Sequence, residues 1–344
     1  MRTTTVLSAC ATVALLACTS EKGPTEPEAG ATALTAPSVA AASNTWTPRA
    51  PHNFAPLFGI VAGVAPNSAG QSIVYVFGGC DGEGLSGYCT GYRGSAYNVA
   101  TDTWSGGLPE VNVYAANGVG TIGGKLYFSG GHALHGVEEE TRGVWAYNPT
   151  TNKLTERAAM PKATAEGVTG VINGKLYVLP GICNSNYGVP RPGYCAENPI
   201  RRLDRYDPAT NTWVARRSAP HFHRYAAAGV IGGKFYVAGG INSSFTPVAD
   251  LDVYDPATDT WTTRAPVPKA GRAIGTALGG KLYVVVGLDA YAYNPATNRW
   301  SPIAAPTWRH EAIVRVVVDG KPRLLAVGGN QGSDIPNDSE LYTP

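Results

Sequence analysis

The chain has 344 residues, a net charge of +2 and only 15% charged side chains, with 42 glycines and 26 prolines. That balance excludes a nucleic-acid surface, and no Lys/Arg run supplies one locally. No apolar stretch is long enough to cross a membrane as a helix.

The first 17 residues read as a targeting segment rather than as part of a fold. Arg2 gives a short basic start, and an apolar run of signal-peptide length occupies 6–17. The run ends Leu15-Leu16-Ala17-Cys18, which resembles the bacterial lipobox. The resemblance implies that Cys18 is the lipidated first residue of an exported, envelope-anchored protein, touching membrane through that anchor only. Thr19 stands where an aspartate would signal inner-membrane retention, so the implied destination is the outer membrane, or else the periplasm or exterior. Residues 18–43 are rich in Pro, Ala, Thr and Glu without periodicity and read as a disordered tether.

From residue 44 onward a unit repeats. A tyrosine opens a Tyr-Asp-Pro-like element at Tyr97, Tyr147, Tyr206, Tyr254, Tyr293 and Tyr342, about 49 residues apart on average. Two-residue turns needing positive φ lie between apolar runs at Gly123-Gly124, Asn173-Gly174, Gly232-Gly233, Gly279-Gly280 and Asp319-Gly320. A glycine doublet ends the second strand at Gly78-Gly79, Gly130-Gly131, Gly239-Gly240 and Gly328-Gly329, and a tryptophan closes the unit at Trp104, Trp213, Trp261 and Trp300. Each unit reads as four strands whose faces are buried only by stacked neighbours.

This unit resembles the kelch repeat, over residues 44–344. The resemblance implies an all-β, six-bladed kelch-type β-propeller, with blades at about 53–108, 109–161, 162–220, 221–268, 269–306 and 307–344. The sixth unit lacks a fourth strand, and a lone fourth-strand signature, Asn44-Thr45-Trp46, precedes the first. That segment, 44–52, is expected to complete the last blade and close the ring, leaving no sheet edge between the termini.

Beyond Cys10 and Cys18 four cysteines remain, each pair within one inter-strand loop. Cys80 with Cys89, and Cys183 with Cys195, is the simplest of the three connectivities. Such short-range disulfides stabilise by roughly 2–3 kcal/mol each. No Cys-x-x-Cys occurs, and His132 with His135 and 138–140 fixes no third ligand, so neither metal nor cofactor is expected. Tyr88-Cys89 and Tyr194-Cys195 lack the remaining ligands of a galactose-oxidase-like copper site.

Strands alternate direction within a blade, so the 2–3 loops and the 4–1 links share one face. The 2–3 loops are long at 80–94, 132–142, 182–199, 241–250 and 330–338 and short only at 288–290. Long loops on a rigid scaffold mark the binding face. The approaches to the innermost strands collect His52, Tyr114, Glu166, His221, His223, Arg224, Arg272, Arg309, His310 and Glu311 there. Arginines and a glutamate around a channel mouth suit a carboxylate or polyhydroxy ligand. Arginine at this position is also frequent in kelch sequences, where it bonds loop carbonyls, whereas Glu166 stands where sister copies carry arginine.

The expected role is a protein- or glycan-binding module working as a monomer through Tyr114, Glu166, His221, Arg224, Arg272, Arg309 and Glu311, with no catalytic residue. The chain is also similar to the bacterial N-acetylneuraminate epimerase family, a sialic-acid mutarotase. That similarity implies Glu166 as a catalytic base and Arg224 or Arg272 on the sugar carboxylate.

Overall fold

The computed structural model describes residues 43–52, 58–80, 92–111, 113–133, 140–183, 201–329 and 339–344. The expected anchor Cys18, the tether, Cys89, Cys195 and most of the long 2–3 loops lie outside the described residues. Cys183 is buried and disulfide-bonded.

Among the described residues the chain forms strands and turns and no helix. Six four-stranded antiparallel sheets follow one another as blades. Their innermost strands are Phe58–Pro66, Val119–Ile122, Val168–Ile172, Ala227–Ile231, Ala273–Leu278 and Ala312–Val318. Each of these lies against the next, and the last lies against the first, so the ring is closed around a central channel. The closing strand is the expected one. Thr45–Arg49 pairs antiparallel with Ser339–Thr343, in the register Trp46 opposite Tyr342, and supplies the outer strand of the sixth blade. Two additional short pairings, Tyr92–Arg93 with Glu110–Val111 and Val113–Tyr114 with His132–Ala133, brace the link between the first two blades.

The turn chemistry explains the strand boundaries. In the five expected two-residue turns both residues sit at positive φ, from 56 and 72° at Gly123-Gly124 to 49 and 72° at Asp319-Gly320. This is the turn geometry whose twist matches two antiparallel strands. The core lies between blades: Phe77 of the first stacks on Phe128 of the second at 5.0 Å, and Tyr177 of the third packs on Tyr254 of the fourth at 5.8 Å. Blades approach so closely that a Cβ on Gly170 would stand 2.6 Å from the Phe235 ring of the next blade.

The repeated tyrosines and tryptophans do more than pack. Each tyrosine hydroxyl donates to an Asn or Asp five residues on, as Tyr254 does to Asp259 Oδ1 at 2.6 Å; in the sixth blade Tyr342 donates to Asn44 at 2.9 Å. Those Asx residues sit at φ between 51 and 56°, a conformation Asn and Asp tolerate. The same Oδ1 accepts a backbone N–H from the preceding blade's outgoing link, Ala265 to Asn298 at 3.0 Å and Ala304 to Asn44 at 2.8 Å. The tryptophan indole then donates to that link's carbonyl, Trp300 to Ala265 and Trp46 to Ala304, both at 2.8 Å. Neighbouring blades are thereby stapled at the outer rim. Leu154 replaces the tryptophan in the second blade, where Asn152 instead donates to Gly107 O at 3.0 Å.

Candidate functional site at the channel mouth

At one end of the channel the approach segments are tied blade to blade by backbone hydrogen bonds. Ala115 N–H donates to Gly59 O at 2.6 Å, Glu166 N–H to Ala115 O at 2.8 Å, Tyr225 N–H to Glu166 O at 3.0 Å and Ala273 N–H to Tyr225 O at 2.9 Å. Gly59, Ala115, Glu166 and Tyr225 all adopt positive φ, between 50 and 67°. For the three non-glycine residues this is a strained conformation that the ring of contacts holds in place. Between the sixth and first blades a side chain makes the link, with Gly59 N–H donating to Glu311 Oε2 at 3.2 Å.

This mouth belongs to the same face as the 2–3 loops. Ala165 bridges to Ile182 and Arg224 to Ile241, so each loop begins beside its own blade's approach segment. The mouth opens into a cavity of about 540 Å³ lined by Glu166, Tyr225, Arg272, Arg309, Glu311 and Arg315, with small apolar and threonine side chains of the innermost strands below. That volume is the size of small-molecule sites, which combine an apolar wall with a few convergent polar groups.

Glu166 is the organising residue. It is 6% exposed, and three donors converge on its carboxylate: His132 Nε2 at 3.0 Å, Arg224 Nε and the Tyr225 hydroxyl. Burial by itself would raise its pKa, but these hydrogen bonds and the Arg224 charge outweigh burial and hold it down at about 2. Glu166 is therefore an anion, His132 Nε2 carries the hydrogen, and His132 Nδ1 has no hydrogen-bond partner among the described residues. Burial, then the Glu166 charge, push the Tyr225 phenol up, keeping it a donor.

The Tyr225 ring in turn carries Arg272, whose guanidinium lies 3.7 Å from the ring centroid, while Arg224 stands over Phe245 at 4.8 Å. Glu311 differs from Glu166. Burial pushes its carboxyl up, against the weaker pull of the Gly59 N–H and the Arg272 charge. The mouth thus holds one carboxylate locked as an anion and one biased toward its neutral form.

The Kelch motif family model matches residues 223–268. Kelch-like protein 35 of Mus musculus is 28% identical over 79% of this chain and 44% of its own length. Kelch-like protein 25 of Xenopus tropicalis is 26% identical over 65% of this chain and 41% of its own. The solved structure of YjhT aligns with a TM-score of 0.64 and 18% sequence identity, covering 85% of this chain and 96% of that one. The chain is a kelch-repeat β-propeller. It spans less than half the length of these Kelch-like relatives.

Within this kelch propeller the residues singled out from sequence divide into two groups. Glu166, Arg272, Arg309 and Glu311 line the cavity, and Arg224 reaches it through Glu166. Tyr114 is buried one step behind, its ring 5.0 Å from that of His132. The other histidines serve the blades instead. His221 Nδ1 and His223 Nε2 both meet the buried carboxylate of Asp252 at 3.0 Å, and His223 Nδ1 donates to Gly239 O. His310 repeats the arrangement with Glu340 at 2.8 Å and Gly328 O, and His52 meets Ser95 Oγ at 2.7 Å. These side chains turn back toward the third strand of their own blade, which explains why His221 contributes nothing to the cavity wall. His132 lies on Glu166, and among the described residues no group of three metal-ligating side chains exists.

Two cavity residues carried no sequence signal as site residues. Tyr225 reads as strand-start packing, and Arg315 is a single charge inside the apolar run Ala312–Val318, where it reads as a solvated edge position.

Proposed function

We propose that this kelch propeller, a protein-binding module type, is an exported, lipid-anchored monomer that recognises a carboxylate-bearing ligand at the channel mouth and its surrounding 2–3 and 4–1 loops. The ligand is an acidic glycan, or an acidic group presented by a protein partner. The observation that carries this reading is the convergence of Arg272, Arg309 and Arg315 on one cavity whose second carboxylate, Glu166, is already neutralised by Arg224. Arginine forks match carboxylates geometrically, and Tyr225 presets Arg272 before any ligand arrives. Neither a metal, a cofactor nor nucleic acid is part of the reading, and the anchor is Cys18.

A second reading, an acidic-sugar mutarotase, is favoured by one observation: the two mouth carboxyls are pushed in opposite directions, the pattern of an acid–base pair. Glu166, locked by three donors, is a weak base, so this reading places proton transfer on Glu311. Proton NMR of acidic sugars with the full-length protein separates the two. Saturation transfer without faster interconversion of the anomers is expected of the binding module. Faster interconversion, abolished in Glu311→Ala, identifies the mutarotase, and no effect on any acidic sugar leaves the protein-borne acidic group as the ligand.

A further inference from the structure

Four charged side chains of the cavity remain after Glu166, Arg224 and Tyr225 have satisfied one another: Arg272, Arg309, Arg315 and Glu311. Among the described residues no ion pair joins Glu311 to any of these arginines. Its carboxylate takes the Gly59 N–H at 3.2 Å and feels the Arg272 charge at longer range. Among the described residues the groups facing it come from three blades. Gly59 N–H comes from the first blade, and Arg272, held on the Tyr225 ring, from the fifth. On its own blade Arg309 precedes it and Arg315 follows on the innermost strand, while His310 turns away onto Gly328 O and Glu340.

We propose that Arg272, Arg309, Arg315 and Glu311 form one carboxylate-binding subsite in which the ligand's carboxylate is bound together with a proton carried by Glu311. This rests on reading the channel mouth as the site of an acidic ligand, and it names how that ligand is held. A carboxylate drawn in by the arginines meets the Glu311 carboxyl inside the same cavity. Two carboxylates in one site do not both stay ionised. A single shared proton turns their repulsion into a short O–H···O⁻ hydrogen bond, with Glu311 the donor and the ligand the acceptor. Burial already biases Glu311 toward the neutral form. The proton comes from solvent, so binding near neutral pH takes up one proton. The ligand stays an ordinary carboxylate and no covalent bond changes.

The sign follows directly. As pH falls from neutral toward the raised Glu311 value, affinity rises, and below that value the donor form is already present before binding and affinity levels off. Well below that, the ligand's own carboxylate protonates and affinity declines again. Glu311→Gln supplies a permanent N–H donor and mimics the protonated state.

The test is isothermal titration calorimetry of the full-length protein with D-glucuronate between pH 5.5 and 8, in two buffers of different ionisation enthalpy. The expected result is uptake of about one proton per ligand near neutral pH and an affinity that rises as pH is lowered, by about tenfold per pH unit where Glu311 is still ionised in the free protein. Glu311→Gln is expected to bind more tightly than wild type at pH 7.5, with little dependence on pH, and the neutral methyl ester to show no pH response. Binding of glucuronate without proton uptake overturns the proposal on the wild-type protein alone. A folded Glu311→Gln protein that binds more weakly than wild type at pH 7.5 overturns it as well. Absence of glucuronate binding by either protein at every pH overturns both the subsite and the acidic-sugar reading beneath it, so the two failures are distinct.

Discussion

Glu166 and Glu311 show how the approach to an innermost strand supports two chemistries. Both stand at the approach to an innermost strand, yet Glu166 is enclosed by His132, Arg224 and Tyr225, and Glu311 by one backbone N–H and a more distant arginine. Truncating Glu166 leaves the half-buried Arg224 without its partner, and a broken buried pair is costly. Glu166→Ala is expected to lower unfolding stability by roughly 3 kcal/mol at pH 7, read by urea denaturation. The pH dependence has a fixed sign. Glu166 sits at about 2 in the fold against an ordinary 4.5, so its contribution is complete above 4.5 and disappears as pH falls from 4.5 toward 2. The difference between wild type and Glu166→Ala should therefore shrink on acidification; a difference that persists at pH 2 would contradict the assignment. Glu166 was legible in the sequence as an acidic residue among the arginines of the approach segments, although in the fold it is Ala165 that takes the place of Arg224, bridging to Ile182 as Arg224 does to Ile241. Tyr225 and Arg315 were not, because an aromatic at a strand start and a lone charge in an apolar strand each have an ordinary explanation. Only the channel geometry turns both inward.

The blade is the element in which the repeat's physics is clearest. Its turns, doublets and tyrosine spacing were readable because each demands a particular backbone: positive φ at Gly232-Gly233, or the left-handed Asp259 that receives the Tyr254 hydroxyl. The staples between blades were not readable, since the link from Trp300 to Ala265 O spans two blades and depends on how they stack. The histidines misled for the same reason. Sequence places His221 and His223 beside Arg224, but Asp252 on the third strand of that blade draws their rings away from the channel. Close stacking also makes the innermost strands intolerant of added volume. A Cβ at Gly275 would meet Tyr283 O at 2.1 Å and the Ala227 side chain of the neighbouring blade at 3.1 Å. Gly275→Ala is expected to destabilise the protein by about 1–3 kcal/mol, seen as a lower Tm. An unchanged Tm would show that the strand shifts freely and that stacking there is loose.

At the scale of the whole molecule, closure depends on the six residues 44–49. Thr45–Arg49 covers the edge of Ser339–Thr343, and Asn44 and Trp46 supply the last staple through Tyr342 and Ala304. Deleting 44–49 exposes a sheet edge, which invites pairing with another chain. The deletion is expected to lower Tm and produce dimers or larger species on size-exclusion chromatography; a monomer of unchanged Tm would mean that the ring holds without its closing strand. The closed ring is what fixes six approach segments around one mouth, and the function proposed above needs that mouth to bind an acidic group. The direct measurement is saturation-transfer NMR of D-glucuronate and N-acetylneuraminate with the full-length protein and with Arg272→Ala, a side chain resting on the Tyr225 ring at the cavity wall. Saturation transfer to at least one acidic sugar, lost in a folded Arg272→Ala protein, is the expected result. Transfer that survives the loss of Arg272 would place recognition away from the channel mouth and contradict the account.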